Sequence, residues 1–259
     1  MLSQILFHLG EHPWSRHIQY FDCLDSTNNY AKKLAVGGAP EGTVIIADQQ
    51  TAGRGRLGRN FSSPPGMGIY LSVILRPDCL PEELMHLTCA AGVAAAEAIG
   101  NPNVGIKWTN DLVMGKRKLG GILTELSVNP RTRRVEWAVV GIGINCCQYT
   151  WQFPEEIQDI ACSLGMDLQE VPWLTADLIA SLHKMRQELF CKKATIMNQF
   201  QQCCITIGQD ISILRGDDVR HGKAIGVDEN GGLLVAFPDG SRQIIASGEV
   251  SIRGMYGYV

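Results

Sequence analysis

No stretch of this 259-residue chain approaches the roughly 18 consecutive apolar residues that a membrane helix needs. The opening residues, MLSQILFHLGEHPWSRH, hold no apolar run long enough for the core of a secretory signal. The cytoplasm is therefore the expected compartment, with no membrane contact. An excess of one charge is also lacking: 23 Lys and Arg against 26 Asp and Glu leave a formal net charge of −3. Such a chain has no global field to draw it onto nucleic acid, so any basic function must be local. The CxxC spacing of zinc sites is missing too. The nine cysteines (Cys23, Cys79, Cys89, Cys146, Cys147, Cys162, Cys191, Cys203 and Cys204) are scattered or directly adjacent. They read as reduced thiols used for packing. His8, His12 and His17 have no cysteine or carboxylate at ligand spacing, so no metal site is expected. There is no GxxxxGK[ST] phosphate loop and no GxSxG nucleophile turn. A covalent enzyme intermediate is not the natural reading.

What is present is a globular composition, 45% hydrophobic and 19% charged, with room for a large domain and a small one. The first eighteen residues read as an irregular lead-in. IQYFDCL (18–24), TVIIA (43–47) and GIYLSVIL (68–75) read as strands. Asp25 or Ser26 offers a cap for a helix through Leu34, stopped by Gly37-Gly38. A single helix is predicted from Pro81 to a stop at Gly100. VGIKW (104–108), KLGGILTELSV (118–128) and RRVEWAVVGIGI (133–144) look extended, the last two joined as a hairpin by NPRT. Helical spacing returns between Pro172 and Phe200. After Gly208 the segments ISILRG, VRHGKAIGVDE, GGLLVAF and RQIIASGEVSI are short strands parted by turn signals, the texture of a small barrel. The expected division is 1–207 and 208–259.

Three stretches carry chemistry. In GRGRLGR (53–59) glycines allow close backbone approach, while Arg54, Arg56 and Arg59 present forks suited to carboxylate and phosphate. On pattern alone an RNA contact or a solvated loop is an equal reading. Its place between two apolar strands favours a ligand-covering loop. In KWTNDLVMGKRKLGG (107–121), Lys107, Asn110 and Asp111 gather at a strand end. The MGKR turn can return Lys118 to Asp111 from a facing strand. Trp108 reads as packing. GIGIN (141–145) lacks the third glycine and the following helix of a dinucleotide fingerprint. Its glycines suit close approach at a strand end, with Asn145 offering donors and an acceptor.

Taken together and in order, DSTN (25–28), QTAGRGRLGR (50–59), KWTNDL (107–112), KRKLGGIL (116–123) and GIGIN (141–145) resemble the motifs of the biotin protein ligase family. The resemblance spans nearly the whole chain. It implies an α+β fold: a mixed, largely antiparallel sheet flanked by helices, related to class II aminoacyl-tRNA synthetase catalytic domains, plus a C-terminal SH3-like barrel. It implies ATP-dependent activation of biotin to biotinyl-5′-AMP, with Mg2+, and transfer to a lysine of the biotin carboxyl carrier domain of acetyl-CoA carboxylase. Ser26, Thr27, Asn28 and Gln50 match positions around the biotin ureido ring. Gly121 matches one along the biotin tail, and Arg54, Gly55 and Arg56 match the loop closing over biotin and adenylate. Lys118 matches the lysine contacting the biotinyl carbonyl and phosphate. Arg54, Arg56, Arg59, Phe61, Lys107, Asn110, Asp111 and Asn145 fall on the nucleotide side or at the reaction centre. Arg56, Lys118 and Asp111 are the expected catalytic residues.

Two positions depart from the pattern: Thr109 stands where proline is usual, and Phe61 where a tryptophan often packs on adenine. Some members carry an N-terminal helix-turn-helix; eighteen residues cannot form one, so no DNA partner is expected. Members pair through sheet edges, so the resemblance is compatible with a homodimer. A lipoate ligase or octanoyltransferase, sharing the fold, is the rival enzyme reading. A nucleic-acid-binding regulator is the rival from another class.

Overall fold

In the computed structural model, residues 1–215, 218–246 and 249–252 are described. Seven strands form one sheet in the order β1-β2-β3-β7-β6-β5-β4. These are β1 (Ile18–Leu24), β2 (Val44–Gln50), β3 (Gly68–Leu75), β4 (Val104–Lys107), β5 (Asp111–Met114), β6 (Arg117–Val128) and β7 (Val135–Asn145). The β1–β2 pair is parallel and every other pair antiparallel, so the sheet is mixed and largely antiparallel.

Alternation along the strands sends side chains to two cores. Val44 and Ile46 of β2, Leu71 and Val73 of β3, and Val140, Ile142 and Ile144 of β7 enter the larger one. Helices α1 (Leu2–Leu9), α3 (Leu87–Ile99), α4 (Val171–Glu188) and α5 (Lys193–Cys203) cover that face. Ile45, Ile74, Trp137 and Val139 point the other way, beneath Ala31 and Ala35 of α2 (Thr27–Val36). Ser26 caps α2, its side chain accepting from the Asn29 amide at 3.5 Å.

Two expectations need correction. The lead-in is not irregular: Leu2, Ile5, Leu6 and Leu9 recur at helical spacing, and α1 buries Ile5 against the core. The predicted helix from Pro81 is split into a 3-10 turn (Pro81–Leu84) and α3. His86, fully buried and bonded through Nε2 to the Leu189 carbonyl at 2.8 Å, lies at that break.

A second, five-stranded antiparallel sheet follows, ordered β11-β10-β9-β8-β12. It comprises β8 (Asp210–Arg215), β9 (Asp218–Val227), β10 (Leu233–Ala236), β11 (Arg242–Ile245) and β12 (Glu249–Ile252). The predicted strand RQIIASGEVSI is thus two strands, and its Ser247 and Gly248 lie outside the described residues, as do 253–259 of the expected barrel. This sheet is fastened to the first through Trp108, whose indole N–H donates to the Gly231 carbonyl at 2.8 Å. Among the described residues no helix is long and apolar enough to cross a membrane.

Candidate active site

The face of the sheet that α2 covers is left open farther along β6 and β7. On β7, Trp137 and Val139 lie beneath α2, and the next positions on that face are Gly141, Gly143 and Asn145. Opposite them on β6, Leu123 pairs with Gly141 and Gly121 with Gly143. The glycines leave space that other parts of the chain fill. A Cβ on Gly141 would overlap the Asn28 side chain, and one on Gly143 would come within 2.6 Å of Phe61 Cε1.

Above this floor is a cavity of about 260 Å³. Its walls are the start of α2, the end of β2, loop 53–61, the turn between β4 and β5, the start of β6 and segment 153–161. The structure brings every candidate residue to this cavity: Ser26, Thr27, Asn28, Gln50, Arg54, Gly55, Arg56, Arg59, Phe61, Lys107, Asn110, Asp111, Lys118, Gly121 and Asn145. Arg54, Arg56, Arg59, Lys107 and Lys118 bring positive charge, and among the described residues Asp111 is the one carboxylate on the lining. Such an imbalance suits an anionic occupant.

One end holds neutral polar groups. The Thr27 amide donates to Gln50 Oε1 at 2.9 Å, and Gln50 Nε2 donates to Ser63 Oγ at 2.9 Å. Asn28 Nδ2 donates to the Leu123 carbonyl at 3.2 Å and to Glu125 Oε2 at 3.0 Å. Ser72 Oγ lies 2.6 Å from Asn28 Oδ1 and 2.8 Å from Thr27 Oγ1. The amide oxygen can only accept, so Ser72 Oγ donates to Asn28 Oδ1, while Thr27 Oγ1 donates to Gln50 Oε1 at 3.2 Å. The Asn28 amide is thereby fixed in one orientation.

The charged end is built by two turns. Loop 53–61 closes on itself: the Gly55 amide donates to Arg59 O at 2.7 Å and the Phe61 amide to Gly53 O at 2.9 Å. Within it Arg56 begins a short 3-10 turn, and Leu57 takes a left-handed conformation with φ 55. Arg56 Nη1 reaches across to Asn110 Oδ1 at 3.0 Å. Asn110 Nδ2 in turn donates to the Ile122 carbonyl at 3.0 Å, which aims its oxygen at the arginine. Lys118 Nζ sits 2.7 Å from Asp111 Oδ1, across the β5–β6 pair. The turn carrying Lys107 and Asn110 is anchored through Trp108, whose backbone N–H donates to Thr206 Oγ1 at 2.9 Å. The Trp108–Thr109 peptide is cis. Arg59 is exposed at the rim, whereas Lys107 is buried.

Arg54 behaves differently from Arg56. Its guanidinium turns toward α2, donating to Asn29 Oδ1 at 3.0 Å and Glu125 Oε1 at 3.0 Å.

Sequence reasoning passed over two groups of residues. Phe153, Ile157, Ile160 and Ala161 form an apolar wall. They are held because the Lys118 amide donates to Ile160 O at 2.7 Å and the Cys162 amide to Lys118 O at 2.8 Å. Asn145 Nδ2 adds a bond to Cys162 O at 3.0 Å. The second is Glu125. Burial pushes its carboxyl pKa up, yet hydrogen bonds from Lys32 and Asn28 and the Lys32 and Arg54 charges outweigh it, leaving the group below the usual carboxylate value. An acidic residue at alternate spacing from Gly121 and Leu123 was the available signal.

The cavity thus offers fixed cations, oriented amides and an apolar wall, and among the described residues no cysteine or histidine lines it. That inventory performs chemistry by positioning and charge stabilisation.

Residues 20–145 match the biotin/lipoate A/B protein ligase family, and residues 206–253 match the biotin protein ligase C-terminal domain. The chain is 34% identical over 252 residues to the bifunctional ligase/repressor BirA of Bacillus subtilis, spanning 95% of this chain and 77% of that protein. It is 30% identical over 243 residues to the biotin–[acetyl-CoA-carboxylase] ligase of Paracoccus denitrificans, spanning 89% and 98%. The structure of the Aquifex aeolicus biotin protein ligase in complex with biotin and ATP superposes with a TM-score of 0.74 at 30% identity, covering 92% of this chain and 99% of that one.

Proposed function

This chain belongs to the biotin protein ligase family, and we infer that its cavity joins biotin to AMP and passes the biotinyl group to a carrier lysine. The observation that carries the reading is the meeting, in one cavity, of the glycine–arginine loop, the Lys107–Asp111 turn and Lys118.

In the first step a biotin carboxylate oxygen attacks the α-phosphorus of ATP. The bond to the β,γ-phosphates breaks, giving biotinyl-5′-AMP and pyrophosphate. Both reactants are anionic, so bringing them together in a partly buried cavity requires cations already in place. Arg56 and Lys118 supply them, one held by Asn110 and the other by Asp111. Mg2+ would accompany ATP as a counterion and offset phosphate charge. Phe61, Arg59, Lys107 and Asn145 serve the nucleotide side, while Ser26, Thr27, Asn28, Gln50 and Gly121 serve biotin. In the second step the carrier amine attacks the acyl carbon, AMP departs and the amine loses a proton. Asp111 is the carboxylate on the lining, and we assign it the orientation or acceptance of that proton.

We further assign the catalytic domain to residues 1–207 and an SH3-like barrel to 208–259. The large sheet is the kind also found in class II aminoacyl-tRNA synthetases. The acceptor is the biotin carboxyl carrier domain of acetyl-CoA carboxylase, and the reaction belongs in the cytoplasm.

The test is biotin-dependent exchange of labelled pyrophosphate into ATP. Exchange with biotin and none with lipoate is the expected result. Absence of exchange with biotin, or equal exchange with lipoate, overturns the assignment.

A further inference from the structure

Arg54 and Arg56 stand two residues apart on one loop yet bond to different partners: Arg56 to Asn110, and Arg54 to Asn29 and Glu125. This carboxylate stands on β6 four residues beyond Gly121, on the face that carries the cavity. It receives Arg54 Nη1 at 3.0 Å, Lys32 Nζ at 2.7 Å and Asn28 Nδ2 at 3.0 Å. Lys32 and Asn28 lie on α2 and Arg54 lies on loop 53–61, so one carboxylate ties three elements together. Its side chain is 22% exposed and that of Arg54 is 39%. The contact sits at the cavity edge, where water reaches it but does not fully screen it.

We propose that Glu125 is a positioning residue for adenylate formation, acting through Arg54 and Asn28. It tethers loop 53–61 to α2 by Arg54, and so holds Arg56 of the same loop in place toward the reacting anions. It also locks the Asn28 amide, so that Asn28 Oδ1 stays beside Ser72 and Gly141 at the floor. Arg54 is accordingly a tether rather than an anion ligand. The catalytic part of this proposal rests on the biotin ligase reading. The tether itself does not.

Glu125→Gln keeps shape and removes charge, and Arg54→Gln removes the partner. The first measurement is amide hydrogen exchange in ligand-free protein across residues 53–61. A charge-assisted bond tying the loop corresponds to about tenfold in local opening, so Glu125→Gln should speed exchange there by about that factor. Arg54→Gln should do the same, and the double variant should add little to either. Lys32→Gln, which leaves the Arg54 contact intact, should move loop exchange much less.

The second measurement is pyrophosphate release. In Glu125→Gln the KM for biotin should rise several-fold while kcat changes less, and Glu125→Asp should recover part of the loss. A merely structural role would lower the amount of active enzyme and leave KM alone. Unchanged loop exchange in Glu125→Gln, or fully additive effects of the two substitutions, overturns the tether. Exchange that behaves as expected with an unchanged biotin KM overturns the catalytic part. If the parent protein released no biotin-dependent pyrophosphate, the functional assignment would fail while the exchange result still decided the tether.

Discussion

Replacing Gly141 by alanine adds one methyl group to the cavity floor, and the structure says what that methyl meets. The new carbon would overlap the Asn28 side chain, itself buried and held by Leu123 O, Glu125 and Ser72. It cannot be accommodated by a small rotation, because each of those bonds fixes the amide from a different side. Overpacking of this kind costs about 1–3 kcal/mol. Leaving a buried amide or hydroxyl without its partner costs about 1–3 kcal/mol more. Taking about 3 kcal/mol together, the melting temperature should fall by roughly 6–12 °C in a protein of this size. Biotin affinity should fall as well, since Asn28 is displaced from the floor.

The informative control is Gly143→Ala, whose methyl meets the edge of the Phe61 ring instead. That ring is half-buried and has no hydrogen bond to lose, so the melt should change less than in Gly141→Ala while ligand binding weakens. Differential scanning fluorimetry and titration calorimetry with biotin separate the two cases. A Gly141→Ala protein that melts within about 2 °C of the parent and binds biotin equally well would refute the packing described.

Arg56→Gln and Lys118→Gln should each lower biotin-dependent pyrophosphate release by about 10²–10³-fold, the scale of losing one preorganised electrostatic contact. Near-parental rates would remove that residue from the catalytic set. Asp111→Asn should slow transfer to a carrier more than it slows adenylate formation, which single-turnover assays of the two steps would reveal. Glu125 has its folded-state pKa lowered, so its contribution to stability is complete above the ordinary carboxylate value and disappears as pH falls through the folded value. Urea midpoints of the parent and Glu125→Gln should therefore differ near neutrality and converge in acid. A gap that persists unchanged in acid would contradict this. Biotin with ATP should slow amide exchange across residues 53–59, because charged ligand contacts offset the conformational freedom lost by the loop.

Much of this was legible in residues with strong local rules. β3 begins and ends where its apolar run does, because Pro64, Pro65 and Gly66 precede it and Pro77 follows. The Asp111–Lys118 contact followed from a turn between two extended segments. Less legible was anything decided at a distance. Whether α3 runs on from Pro81 depends on His86 meeting Leu189, more than a hundred residues away. Segment 150–161 shows no period, since its 3-10 turns are placed by backbone bonds to Lys118. Glu125 looks like an ordinary polar position of an alternating strand until Arg54 and α2 are seen to converge on it. The division of labour between Arg54 and Arg56, two residues apart, is likewise a property of the folded loop.

The most direct measurement is transfer of labelled biotin to a purified carrier domain by the intact chain. Incorporation should need ATP, vanish when the acceptor lysine of the carrier is changed to arginine, and collapse in Arg56→Gln and Lys118→Gln. Incorporation that proceeds without ATP, or that persists undiminished in both variants, would contradict the ligase assignment.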